Sequence, residues 1–93
     1  MIIENTYFSG GVKSLGFSQK ETESSVGVMD VGEYTFGTSA PEKMTVVKGS
    51  LTIKRVGDDD WVTFVCGEYF EIASNSSFDV KVVTPTAYLC EYF

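Results

Sequence analysis

Apolar and polar residues alternate in short runs along the whole chain, and turn-forming residues separate the runs. Leu51 and Ile53 alternate with Thr52 and Lys54, a period of two that puts one face of a strand on a core and the other in water. Turn signals fall at Gly10-Gly11, Gly49-Ser50, residues 57–60, Cys66-Gly67, residues 74–76 and Thr84-Pro85. No window carries a convincing apolar stripe at helical spacing, so helix content should be close to nil. The pattern predicts strands over residues 12–17, 25–29, 33–38, 44–48, 51–56, 61–65, 68–72, 78–83 and 86–93.

The end of the chain alternates less cleanly. Phe78, Val80 and Val82 share one face while Val83 falls on the other, and the terminal AYLCEYF is apolar on both. A barrel wall covered by a second copy explains such strands, as does an apolar tail capping its own barrel. A homodimer is the expectation. At 93 residues the chain is one domain, 1–93, and its 43% apolar and 14% aromatic content is that of a globular core. A domain of this size buries roughly 60 to 65% of its unfolded surface, so pairing would help it.

Composition excludes several classes of function. Thirteen acidic residues against seven basic ones give a net charge of -6, which repels phosphate backbones and argues against nucleic acid as a partner. No stretch approaches the ~20 apolar residues of a membrane span, and the opening MIIENTYF lacks the basic start and apolar run of a signal peptide. A cytoplasmic protein with no membrane partner is expected. Cys66 and Cys90 are too few for a disulfide framework and sit in apolar contexts, so both read as buried free thiols. The run Asp58-Asp59-Asp60 lacks the ligand spacing of a calcium loop and reads as a solvated turn.

The segment Phe36-Gly-Thr38-Ser-Ala-Pro-Glu42, followed by six residues and Gly49, resembles the first cupin motif. In cupins, two histidines and a glutamate at this spacing hold a metal. Here Phe36 and Thr38 stand at the histidine positions, while Glu42 and Gly49 are retained. The second motif is echoed by Gly67, then Ala73 where proline is usual, Asn75 where glycine is usual, and Phe78 at the last histidine seat. The chain contains no histidine, so the imidazole ligands of such a site are missing and no metal is expected. The resemblance implies an all-β, single-domain, cupin-like jelly-roll β-barrel. On that spacing Phe36, Thr38, Glu42 and Phe78 point inward, and strand parity adds Tyr34. Aromatic walls with one hydroxyl and one carboxylate suit a flat, polar organic molecule. A carboxylate facing a core must be hydrogen-bonded or protonated, which makes Glu42 the candidate functional group.

Beyond the cupin spacing, YFSGGVKSLGF, SVGVM, GEYTF, PEKMTV and the terminal TAYLCEYF together resemble the small cupin-fold pyrimidine/purine nucleoside phosphorylases, over nearly the whole chain. What the resemblance implies is phosphorolysis of diverse purine and pyrimidine nucleosides to free base and ribose 1-phosphate. Orthophosphate would be a co-substrate, and no cofactor would be needed. It implies stacking of the base by Phe36, Phe78 and Tyr34 or Tyr88, and contact of Glu42, the catalytic residue, with the ribose hydroxyls. Thr38, Ser39 and the backbone of the Ala40-Pro41 turn would donate to phosphate, with Lys13 as the first basic candidate and Arg55 as the second. Some members carry a basic residue beside the terminal cysteine, where this chain has Glu91. Two readings compete: a non-enzymatic cupin that binds a small metabolite, and a structural dimer module, which requires Glu42 to face solvent.

Overall fold

Strand pairing follows the alternating runs. The computed structural model describes all residues from Met1 to Phe93 and contains ten strands with one 3-10 turn, Phe8–Gly10. The strands are β1 (Ile3–Tyr7), β2 (Val12–Gln19), β3 (Thr22–Met29), β4 (Gly32–Gly37), β5 (Glu42–Lys48), β6 (Ser50–Arg55), β7 (Val62–Val65), β8 (Tyr69–Ile72), β9 (Ser77–Val82) and β10 (Thr86–Tyr92). All neighbours pair antiparallel, in a six-stranded sheet ordered β1-β2-β3-β10-β5-β8 and a four-stranded sheet ordered β4-β9-β6-β7. Late strands are threaded between early ones in both sheets, which is the jelly-roll arrangement. No ladder joins the two sheets, so the barrel is an open-sided one.

The core lies between the sheets, as one cluster of 13 buried residues. Leu51 and Ile53 on β6 and Val80 on β9 are within it, as the alternation in their runs predicts. Opposite them, β5 contributes Met44 and Val46. At the end of β6, the Arg55 guanidinium donates from Nε to Asp58 Oδ2 at 3.0 Å and from Nη1 to the Glu71 carbonyl at 3.0 Å. The second contact reaches the opposite sheet.

Three expectations are corrected. Strand β1 was not foreseen, because the polar Glu4, Asn5 and Thr6 separate its two apolar ends, Ile3 and Tyr7; it is an edge strand with a polar middle, a composition that discourages pairing with other chains. Of the two readings of the terminal strand, the cap is overturned and the wall strand holds: β10 lies inside the large sheet between β3 and β5, with Tyr88 and Cys90 buried. Its other face carries Ala87 and Leu89. Of the two thiols only Cys90 is buried, and Cys66 is exposed on the turn after β7.

Polarity is inverted in the β2–β3 hairpin. Its inner face carries Ser14, Gly16, Ser25 and Gly27, while Leu15, Phe17, Val26 and Val28 face outward with exposures of 37 to 51%. Leu15 pairs with Val26 and Val26 with Leu89, so the outer apolar residues form a continuous row. Inside, Tyr88 lies over Gly27, its register partner. A methyl group at Gly27 would stand 2.5 Å from the Tyr88 hydroxyl and 2.8 Å from the Lys13 carbonyl oxygen. Backbone cannot retreat as a flexible side chain can, so Gly27→Ala should cost about 1–3 kcal/mol of folding stability, the usual range for overpacking. Urea denaturation measures this, and an unchanged midpoint would contradict the packing described.

Candidate functional site

Small residues on the inner face of β2 and β3 leave the barrel hollow at one end. Ser14, Ser25 and Gly27 stand where large apolar side chains would otherwise meet the core, and beside them opens a cavity of about 140 Å³. Its apolar walls are Met29, Met44, Phe36 and Phe78, with Tyr7 and Gly37 at the exposed rim. Its polar groups are Ser14, Ser25, Glu42, Tyr88, Cys90 and Tyr92.

Glu42 is the first residue of β5, opposite Tyr92 on β10 and two pairs away from Cys90. The Cys90 thiol donates to Glu42 Oε1 at 3.3 Å. Burial pushes the Glu42 carboxyl above its ordinary value of 4.5, and the thiol hydrogen bond only partly opposes this. The Cys90 thiol is pushed up by burial first and by the neighbouring carboxylate second, and the Tyr88 phenol is pushed up by burial. Tyr92 is pushed up to about 12, again chiefly by burial, with the Ser25 hydroxyl 3.2 Å from its oxygen. All three therefore keep their protons at neutral pH and serve as uncharged donors around one carboxyl group. No basic side chain lines the cavity, and nowhere do three metal-ligating side chains gather. The cavity thus offers an aromatic wall and uncharged hydrogen-bonding groups beside a single carboxyl.

A family model described as pyrimidine/purine nucleoside phosphorylase matches residues 2–92. The chain belongs to that family. A Vibrio cholerae protein named pyrimidine/purine nucleoside phosphorylase is 71% identical over 92 residues, covering 99% of this chain and 97% of its own. A crystal structure of a Vibrio parahaemolyticus protein of unknown function superposes with a TM-score of 0.97 at 62% identity, covering 100% of this chain and 99% of that one. The fold is cupin-like. An RmlC-like cupin from Shewanella frigidimarina superposes with a TM-score of 0.77 at 16% identity, over 98% of this chain and 82% of its own.

Four of the residues expected in a phosphorylase site line the cavity: Phe36, Glu42, Phe78 and Tyr88. Phe36 and Phe78 are register partners whose rings stack on each other, with centroids 5.5 Å apart and planes 23° apart. No base fits between them; the pair forms one wall. Tyr34 shares their parity but lies away from the cavity, where its hydroxyl donates to the Asp30 carbonyl at 2.8 Å and its ring packs on Phe8. Thr38 donates to the Ala73 carbonyl at 2.6 Å and accepts from the Ser76 amide at 3.0 Å, pinning two loops together. Ser39 is exposed beside it. Lys13 faces outward on β2, Glu91 is on the outer face of β10, and Arg55 is held by Asp58 and Glu71. Neither basic candidate reaches the cavity.

Ser14, Ser25, Cys90, Tyr92 and Tyr7 were not foreseen in this site. For Ser14 and Ser25 the signal is the alternation of small polar with large apolar residues in VKSLGF and SSVGVM, which marks a face too small to fill a core; Tyr7, Cys90 and Tyr92 carry none.

A raised carboxyl value has a consequence for stability. The folded state holds the Glu42 proton to higher pH than the unfolded chain, so Glu42 costs stability as pH rises from 4.5 through its folded value. Glu42→Gln keeps the acceptor for Cys90 and removes that cost. Its thermal midpoint should exceed the wild type's at about pH 7, and the gain should vanish below about pH 4, where both residues are neutral. A Glu42→Gln protein no more stable than wild type at neutral pH would contradict the burial of the carboxyl.

Proposed function

We propose that this chain cleaves purine and pyrimidine nucleosides by phosphorolysis, with Glu42 as its catalytic residue and no metal or organic cofactor. The observation that carries the reading is the desolvated Glu42 carboxyl beside an aromatic wall, in a chain of the nucleoside phosphorylase family. The bond from the anomeric carbon to the base nitrogen breaks, and its electron pair leaves with the base. A phosphate oxygen bonds to the same carbon, and the phosphate proton passes to the base. Positive charge grows on the ribose as this happens. Ionised Glu42 accepts from the ribose hydroxyls and lies near that charge, where a low-dielectric setting strengthens the interaction. The base stacks against the Phe36–Phe78 wall, which tolerates purines and pyrimidines alike because stacking does not depend on the pattern of ring substituents. Neither Lys13 nor Arg55 lines the cavity, so this reading assigns phosphate to the hydroxyl groups that do.

The absence of a basic side chain from the cavity favours a second reading, in which the pocket binds a neutral metabolite and does not transform it. Incubating the protein with uridine or adenosine, with and without phosphate, separates the two. Phosphate-dependent appearance of free base is expected, with turnover at least tenfold lower in Glu42→Gln, equivalent to about 1.4 kcal/mol of transition-state stabilisation. A chelator should leave the rate unchanged. Binding without release would overturn the enzyme reading, and wild-type turnover in Glu42→Gln would overturn the assigned role.

The same reading places the protein in the cytoplasm as a homodimer, with the outward row of Leu15, Val26 and Leu89 covered by a second copy. Sedimentation should give twice the chain mass, falling to one chain in Val26→Asp. A monomeric wild type would contradict the pairing.

A further inference from the structure

The barrel cavity is too small for a whole nucleoside. Its volume of about 140 Å³ accommodates a heterocyclic base, whereas sites for small organic molecules run to ~300 Å³ and above. A second, more open cavity of about 270 Å³ begins on the same inner face of the large sheet, where β1, β2 and β3 extend beyond the cover of the small one, and reaches round to Phe17 and Ser24 of the outer face. Register places Asn5, Gly16, Ser18, Glu23 and Ser25 on that face. Ser25 and Tyr92 line both cavities, and the hydrogen bond between their hydroxyls is the partition. Together the two spaces reach the size of a nucleoside site.

We propose that the second cavity is the ribose compartment of the nucleoside site, an inference that rests on the phosphorylase reading. The chemistry of the two spaces differs as the halves of a nucleoside do. The inner one is walled by Phe36, Phe78, Met29 and Met44 and suits a base. The outer one offers an amide at Asn5, hydroxyls at Ser18 and Ser25 and a carboxylate at Glu23, which suit a polyol. Glu42 pairs with Tyr92 at the boundary. A ribose crossing there presents its 2′- and 3′-hydroxyls to Glu42 and its 5′ end to Ser18 and Glu23, which pair across β2 and β3. Glu23 is the only charged side chain on the outer wall, so a 5′-phosphate would meet a carboxylate and no basic side chain. The site therefore selects nucleosides over nucleoside monophosphates.

Gly16 offers a way to close the compartment. A methyl group there would meet only ordinary contacts, 3.7 Å from the Ile3 carbonyl oxygen and 3.9 Å from Ile3 Cβ, so a larger side chain has room to enter the cavity. Calorimetric titration of uridine and of uracil into wild type and Gly16→Leu tests the assignment. Uridine should bind the variant at least tenfold more weakly while uracil changes less than twofold. Unchanged uridine binding in the folded variant would overturn the proposal, and so would equal losses for the two ligands. A gain provides the second arm and does not depend on Gly16→Leu folding. Glu23→Lys should bind uridine 5′-monophosphate at least fivefold more tightly than wild type does, and no gain would overturn the proposal. Ligand discrimination that follows these expectations without phosphate-dependent release of base would leave the compartment standing and remove the reaction. Release that is indifferent to both variants would do the reverse.

Discussion

The structure depends on the inverted hairpin of β2 and β3. In most two-layer β proteins the large apolar face of a strand turns inward because that removes the most apolar area from water, at roughly 25 cal/mol per Å². Here, beyond the buried pair Val12 and Met29, the inner face is Ser14, Gly16, Ser25 and Gly27, and the large residues Leu15, Phe17, Val26 and Val28 point out. The hairpin gives the core only its first pair, Val12 and Met29, and the remaining strands compensate, supplying the rest from β5, β6, β8, β9 and the inner face of β10. The hollow beside that core and the apolar row outside it are two results of one choice of strand parity. On the proposed reading the hollow takes a ligand and the row meets a second copy.

Within the hollow, burial decides the chemistry. Tyr88, Cys90 and Tyr92 are all pushed toward their protonated forms, so the donors are neutral and the single carboxyl, Glu42, holds the variable charge. In a metal-dependent cupin the equivalent seats carry imidazoles. Their replacement by the stacked pair Phe36 and Phe78 turns a polar centre into a wall, and on the proposed reading binding and placement of the substrate are the means of lowering the barrier. Thr38, at the remaining seat, has become part of the loop structure through Ala73 and Ser76.

Strand positions were legible in the sequence because alternation and turn residues are local. Gly49, Gly57 and Gly67 all adopt positive φ, the conformation that marks a turn where glycine is favoured. Strand β1 escaped notice because three polar residues, Glu4 to Thr6, interrupt its apolar ends Ile3 and Tyr7. The direction in which each face points was less legible: a period of two shows that two faces differ, and says nothing of which one meets the core when both could. The two-faced end of the chain illustrates this, since β10 could be placed only once its neighbours β3 and β5 were known. Glu42 was found through cupin spacing, which encodes long-range geometry in a local pattern. Its partners Cys90 and Tyr92, 48 and 50 positions further along the chain, had no such marker.

The central claim is that the polar inner face of β2, β3 and β10 holds the nucleoside. Backbone amide shifts of isotope-labelled protein titrated with uridine test it most directly. The account predicts the largest shifts at Ser14, Ser25, Glu42 and Cys90, on the strands that enclose the cavity. Shifts confined to the outer apolar row of Leu15, Val26 and Leu89, or none at all at saturating uridine, would contradict it.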